Sequence, residues 1–328
     1  MIFIRTLLLS QLLLFEKIFH GIFYLLSTKE LYNYALLSLF VYHSRVSLLC
    51  LRKPCWQKHL TMGTNKLIHG SVSTEQVSVL KKWFRQYVNS FQDHETEIQK
   101  NLNIKISHTE RVCTEILYLG RQLHFDANAL RLAETIALLH DIGRFEQYSI
   151  YKTFKDSESK DHALLGLDVI KNNKLLDNFD ENPRSIIINA IKYHNCISIP
   201  PTEKDPHLLF EKLIRDADKL DIWKVVLDYY YRSGSEKNTA IELNYPDTSG
   251  VSKLVMDDLS HQRIVHIKHV NNLNDFKLLQ MAWIYDINFE ESIKQIKERD
   301  YLKKIRAVLP ISKEIDTIYN KMLSYLNL

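Results

Sequence analysis

Histidine and aspartate side chains occur where the helices of this chain should carry apolar core residues. The segment ALLHDIGRFEQY, residues 137–148, ends an apolar run with adjacent His140 and Asp141. Matching polar residues on other predicted helices are His108, His162, His194 and Asp218. Imidazole and carboxylate together are ligands suited to Fe, Mn, Zn, Co or Ni. Because buried carboxylates are costly unless they are paired or bound to metal, one shared metal centre would account for the whole set.

The competing interpretation treats each residue separately. A lone histidine on an apolar helix face is more often a hydrogen-bonded core residue than a metal ligand. Here that explanation would have to hold on five successive helices, so a metal centre is favoured. No cysteine belongs to the set, which argues against a structural zinc knot.

The elements that must position these residues are helices. Glycine and proline are sparse, and segments with apolar residues at helical spacing dominate, so the chain is predicted to be all-α. Early helices are predicted over 74–98 and 105–122, followed by one that is capped by Asp126 and stops at Gly143. Asn182 followed by Pro183 predicts another helix start, as does Asp205 followed by Pro206. Residues 236–274 are predicted to be irregular, with helices again over 275–297 and 312–327.

The segment RDADKLD offers two candidate ligands one helical half-turn apart. Asp216 lies about 200° from Asp218 on a helix of 3.6 residues per turn. Asp218 follows Ile214 by four residues and shares its apolar face, so Asp218 is the predicted ligand. Asp216 is expected to be solvated or to support the ligands from outside. Asp221 shares the inner face and is predicted to orient a ligand histidine.

The charge distribution separates the first sixty residues from the rest. They contain seven Lys/Arg and two Glu, which leaves 36 basic and 37 acidic residues, a net charge of −1, in the remainder. The body of the chain is therefore not expected to bind a nucleic-acid polymer. The four cysteines, at positions 50, 55, 113 and 196, form no C-x-x-C pair, which indicates a reducing, cytoplasmic compartment.

Residues 1–61 form a hydrophobic N-terminal extension. Charged residues interrupt it, so no uncharged run reaches the roughly 18 residues of a membrane-spanning helix. Three interpretations stay open: a membrane-associated hairpin, extra packing helices, or an upstream segment that is not translated. The third is favoured, with Met62 as the natural start, and membrane contact is expected only if residues 1–61 are real.

The order His108, then His140-Asp141, then Asp218 in an Ala-Asp context resembles the HD superfamily of metal-dependent phosphohydrolases. The resemblance covers about residues 105–225. It implies an HD-domain helical bundle over 62–235, with a C-terminal helical extension over 236–328 packed on it.

The resemblance also implies roles for the site residues. His108, His140, Asp141 and Asp218 would hold one divalent metal, Asp141 would bridge, and His162 and His194 would hold a second metal. The alternative is that His162 and His194 bind substrate phosphate over a single metal. Relatives often carry a basic residue at the position of Arg144, so Arg144 is the candidate phosphate clamp, and Lys219 is a second candidate. An alternative role for Arg144 is that of a cation at a helix C-terminus.

The implied reaction is hydrolysis of a phosphoester or phosphoanhydride in a nucleotide or other small phosphorylated molecule by metal-activated water, with Asp141, Arg144 and Lys219 as the catalytic set. The chain lacks the Gly-Tyr-Pro motif of cyclic-di-GMP phosphodiesterases and the Glu-Asp pair of guanosine tetraphosphate hydrolases, whereas the ligand order of diadenosine tetraphosphate hydrolases is present. Two alternatives are an HD-fold di-iron oxygenase and a non-catalytic ligand-binding regulatory module. Association into a homo-oligomer stays open.

Overall fold

Helices make up all the regular structure in the described part of the chain. The computed structural model describes residues 68–91, 96–232 and 237–327, which belong to the compact unit Cys55–Leu328. The helices are α1 Thr74–Asn89, α2 Thr96–Gln122, α3 Ala127–Leu139, α4 Gly143–Tyr151, α5 His162–Asn172, α6 Glu181–Tyr193, α7 His207–Tyr230, α8 Thr239–Glu242, α9 Lys253–Ser260, α10 Leu273–Ala282, α11 Glu290–Glu298, α12 Tyr301–Ala307 and α13 Lys313–Leu326. The prediction of an all-α fold is confirmed. The expectations for residues 1–61 and for a start at Met62 lie outside the described residues.

Helix α7 is the centre of the bundle. It packs against five other helices: α2, α3, α6, α11 and α12. Its buried residues therefore lie all around the helix rather than along one stripe, and they include Phe210, Leu213 and Trp223. A helix that is surrounded in this way has no solvent face over most of its length, so polar residues on it must find partners inside the protein.

The end of α3 and the start of α4 differ from the prediction. Asp126 caps α3 as expected, since its side chain accepts a hydrogen bond from Ala129 N at 2.8 Å. Gly143, however, is the first residue of α4 and not a helix stop. Its role is close packing, because a Cβ at Gly143 would lie 2.2 Å from the carbonyl oxygen of His162 and 2.5 Å from Gly166 N. The glycine thus lets α4 and α5 cross in contact.

Several other predicted helix boundaries were wrong. The helix predicted over 74–98 ends at Asn89, and the one predicted over 105–122 begins at Thr96. Helix α6 begins at Glu181 after Asp180, so Pro183 is its third residue, and α7 begins at His207, after Pro206. A proline is tolerated anywhere in the first turn of a helix, where amide groups lack intrahelical partners, so its position alone does not fix the start.

The segment after α7 is more regular than expected. Residues 236–274 contain α8 and α9, and α10 begins at Leu273. The extension packs onto the preceding bundle: Trp223 Nε1 donates to the backbone oxygen of Gln280 at 3.0 Å, and Arg299 Nη1 lies 2.6 Å from Glu115 Oε1. In the described residues no helix is long and apolar enough to cross a membrane.

Candidate metal centre

Six side chains from five segments meet in two groups of possible ligands. One group is His108, His140 and Asp218, and the other is Asp141, His162 and His194; within each group the candidate ligand atoms lie within 4.8 Å of one another. Five of the six residues are buried, and Asp218 is half-buried. Every ligand position predicted from the sequence is therefore brought to this one place.

All four histidines are held through Nδ1 by a hydrogen-bond acceptor. His108 Nδ1 lies 2.7 Å from Asp221 Oδ2, and His162 Nδ1 lies 2.8 Å from Asp156 Oδ2. The Nδ1 atoms of His140 and His194 each lie 2.7 Å from a backbone oxygen three residues earlier. Carboxylate and carbonyl oxygens only accept hydrogen bonds, so Nδ1 carries the proton in each ring. In its neutral form each ring then presents an Nε2 lone pair toward the site.

Asp141 lies between the two groups. Its Oδ1 is 3.3 Å from His162 Nε2 and 3.7 Å from His194 Nε2. Its Oδ2 is 3.6 Å from His108 Nε2 and 3.9 Å from His140 Nε2. One carboxylate oxygen therefore faces each pair of imidazoles, which is the arrangement that a carboxylate shared by two cations requires.

The donor set fits divalent metal ions. His108 Nε2 and His140 Nε2 are buried without a hydrogen-bond partner. His162 Nε2 and His194 Nε2 face each other at 3.0 Å, and with both Nδ1 atoms protonated this contact opposes two lone pairs. Such an arrangement is unfavourable unless a cation lies among the nitrogens. Two imidazoles and one carboxylate in each group suit Fe, Mn, Co, Ni or Zn.

The electrostatics keep the carboxylates ionised despite their burial. Burial acts to raise the pKa of Asp141, but Lys105 and His140 hold that pKa well below its usual value. Burial acts in the same direction on Asp218, and the His108 and His140 rings, when they carry a second proton on Nε2, hold its pKa well below the usual value. Burial and Arg144 lower the pKa of His162 to about 4. The second group therefore contains an anionic carboxylate and a neutral imidazole at neutral pH.

Arg144 is fixed at the edge of this cluster. Its Nη1 donates to Gln147 Oε1 at 2.8 Å, to the backbone oxygen of Phe154 at 2.6 Å and to Asp156 Oδ1 at 3.0 Å, while its Nε lies 3.4 Å from Asp141 Oδ1. Arg144 is the second residue of α4, so the alternative of a cation at a helix C-terminus is wrong.

Lys219 lies near the centre but is paired with the C-terminal extension. Its Nζ is 2.6 Å from Asp286 Oδ2, and Arg215 Nη2 reaches the same oxygen at 2.5 Å. Burial lowers the pKa of Lys219, and Asp286 opposes that effect. Lys219 lines the cavity beside the ligands, with its charge shared with Asp286.

Two neighbours of the ligands were missed from the sequence. Lys105 Nζ contacts Asp141 Oδ2 at 2.7 Å, and Asp156 holds both His162 and Arg144. Lys105 precedes His108 by three residues and therefore shares its helix face, a signal that the sequence did contain. Asp156 lies in a 3₁₀ turn, Asp156–Glu158, where no helical periodicity marks its direction.

Asp216 points away from the ligands, but the expectation that it is solvated was wrong. It is completely buried and accepts hydrogen bonds from Asn288 N at 3.0 Å and Phe289 N at 3.1 Å. These amides precede α11, whose own N-cap residue makes no side-chain capping bond. Asp216 therefore binds the backbone just before α11 from a different helix and fixes the extension to α7.

A cavity of about 480 Å³ opens on the cluster. The metal-ligand candidates His108, Asp141, His162, His194 and Asp218 line it, together with Lys105 and Arg144. Its volume is in the range of small-molecule sites.

The comparisons with known proteins identify this part of the chain. The family model described as HD domain matches residues 106–223, which include all six ligand candidates. No curated protein and no solved structure matches the chain.

Proposed function

We propose that this chain, which carries an HD domain over residues 106–223, is a metal-dependent phosphohydrolase that cleaves a phosphoester or phosphoanhydride bond of a small phosphorylated molecule. The ligand residues are His108, His140, Asp141, His162, His194 and Asp218.

The observation that carries this proposal is the shared direction of the histidine rings. All four Nδ1 atoms are tied back to acceptors, and all four Nε2 atoms face Asp141 or Asp218. A set of core histidines that served packing alone would have no reason to leave four buried ring nitrogens directed at one another. Supports of this kind around ligand histidines are typical of metal sites.

The protein itself supplies orientation and positive charge. When bound, divalent ions at these ligands supply Lewis acidity toward a phosphoryl group and toward water. Lys105 and Arg144 line the same cavity, and both side chains are only 15% exposed. Arg144 is braced by Asp156 and the Phe154 carbonyl, so it can meet phosphate oxygens without first being ordered.

A second candidate function is oxidation by a di-iron centre. Each ligand group consists of two histidines and one carboxylate, the donor set that non-haem Fe(II) oxygenases use. The basic residues Lys105 and Arg144 favour the hydrolase, because an oxygenase of a neutral substrate has no need of two cations beside the metals.

The test is phosphate release by the full chain, supplied with Mn²⁺, Ni²⁺ or Fe²⁺. The panel holds nucleotides, dinucleoside polyphosphates and 4-nitrophenyl phosphate. We expect turnover that disappears in Asp141→Asn, a change that keeps the side-chain size but removes the charge shared by both groups. Asp168→Asn is the matched control, since Asp168 is exposed on α5.

Equal turnover in Asp141→Asn and the wild type would contradict the proposal. Binding of two irons with oxygen consumption, and no phosphate release with any metal, would favour the oxygenase instead.

A further inference from the structure

The cavity at the metal centre has a second, apolar end. Beyond the charged residues its walls consist of aliphatic and aromatic side chains, chiefly Val225, Ile241, Leu243, Phe276, Leu279 and Trp283. All six follow residue 223, so they lie outside the segment that matches the HD domain. The HD domain therefore supplies most of the charged residues of the cavity, and the end of α7 with α8, α10 and Trp283 supplies many of its apolar residues.

The side chains of this apolar end are not fully covered by the protein. Val225 and Ile241 are half-buried, and both line the cavity. At the same cavity Ile197 is 51% exposed and Ile267 is 41% exposed, and both belong to the few large apolar side chains exposed among the described residues. Apolar surface left open beside a charged site is typical of a ligand-binding surface.

Polar groups are scarce along this end. Among the cavity residues after residue 223, the polar side chains are those of His266, Gln280 and Asp286. Asp286 is already paired with Arg215 and Lys219, and Gln280 Nε2 has no hydrogen-bond partner. A ribose and a base edge bring several donors and acceptors, which would lose water here and find few partners. An apolar group with at most one hydrogen-bond acceptor would lose few hydrogen bonds to water on binding here, so its burial carries little of this desolvation cost.

We propose that the substrate of this site is a phosphorylated molecule whose other half is apolar, an alkyl or aryl group that occupies the chamber between α7, α8 and α10. This inference rests on the proposed phosphohydrolase function. It makes nucleotides poor candidate substrates, because the surface beside the phosphate-binding end is hydrophobic.

The experiment measures how affinity depends on the length of the apolar group. Ethyl-, butyl- and hexylphosphonate, whose C–P bond is not hydrolysed, are titrated into the metal-loaded full chain by calorimetry. Adenosine 5′-monophosphate and ribose 5-phosphate are the polar comparisons. We expect Kd to fall about two- to fourfold per methylene, more than tenfold from ethyl to hexyl, with an increasingly negative heat-capacity change.

Variants with larger side chains in the chamber test whether the alkyl group binds there. Val225→Phe is expected to remove most of the chain-length dependence while ethylphosphonate still binds. Ile241→Trp provides the same test from the opposite element if Val225→Phe fails to fold. Lys224→Ala is the matched control, because Lys224 is exposed on the same turn of α7.

The outcomes separate this inference from the function on which it rests. Equal affinity along the series, or tighter binding of adenosine 5′-monophosphate than of hexylphosphonate, would overturn the apolar substrate and leave the phosphohydrolase proposal intact. A steep chain-length dependence without hydrolysis of any phosphate ester would support the chamber and overturn the phosphohydrolase.

Discussion

Gly143 is the position where one added methyl group should disturb both the fold and the metal centre. It begins α4 two residues after Asp141, and it lies against α5 at His162, another candidate ligand. Gly143→Ala would place Cβ 2.2 Å from the His162 carbonyl oxygen, whereas ordinary contact begins near 3.4 Å. Both nearest atoms are backbone, so α4 and α5 would have to separate by about 1.2 Å.

The cost follows from that displacement. Overpacking lowers the free energy of unfolding by roughly 3 kcal/mol when backbone must move. The higher helix propensity of alanine relative to glycine offsets up to about 1 kcal/mol of that loss. We expect the free energy of unfolding to fall by about 2 kcal/mol. The effect on metal affinity should be larger, because metal–ligand distances tolerate only about 0.2 Å while the backbone of His162 shifts several times further.

Gly166→Ala is the matched control at the same helix crossing. Its added methyl group would lie 3.3 Å from Ile142 Cγ2 and 3.4 Å from Gly143 N, which a small adjustment relieves. Urea unfolding and metal stoichiometry measure both variants. The explanation of Gly143 fails if Gly143→Ala keeps wild-type stability and metal content, or if Gly166→Ala is the more damaging change.

Two further predictions concern buried carboxyl groups. Asp221→Asn removes the anion that holds His108 Nδ1, so the affinity for metal, measured in competition with a chelator, should fall about 10- to 100-fold. Arg111→Gln removes only the second partner of Asp221 and should lower the affinity less. Equal losses in the two variants would contradict the role of Asp221. Burial, followed by the charge of Glu203, raises the pKa of Glu211 to about 7 from 4.5, so the folded state holds a proton that the unfolded state releases. The stability of the wild type should therefore decline as the pH rises from about 4.5 to 7. In urea titrations Glu211→Gln should be more stable than the wild type by roughly 2 kcal/mol above pH 7, but not below about pH 4.5. A stability difference that does not depend on pH would contradict this assignment.

The helical class, and the meeting of six candidate ligands in one place, were predictable because both depend on local periodicity. Polar residues on the apolar faces of helices must meet in the interior, whatever the exact packing, and the order of the motifs then indicated the HD superfamily. The choice of Asp218 over Asp216 followed from the same 3.6-residue repeat, and the structure places Asp218 with His108 and His140.

The tertiary structure alone decided what surrounds that set. The sequence predicted a helix stop at Gly143, and only the crossing of α4 with α5 shows why a glycine is needed inside a helix start. The burial of Asp216 depends on amides 72 residues away, and Asp156 reaches His162 from a turn. The apolar end of the cavity is likewise assembled from segments after residue 223. A repeat along one helix determines which face a residue lies on, but contacts between distant segments depend on packing, and packing has no local signature.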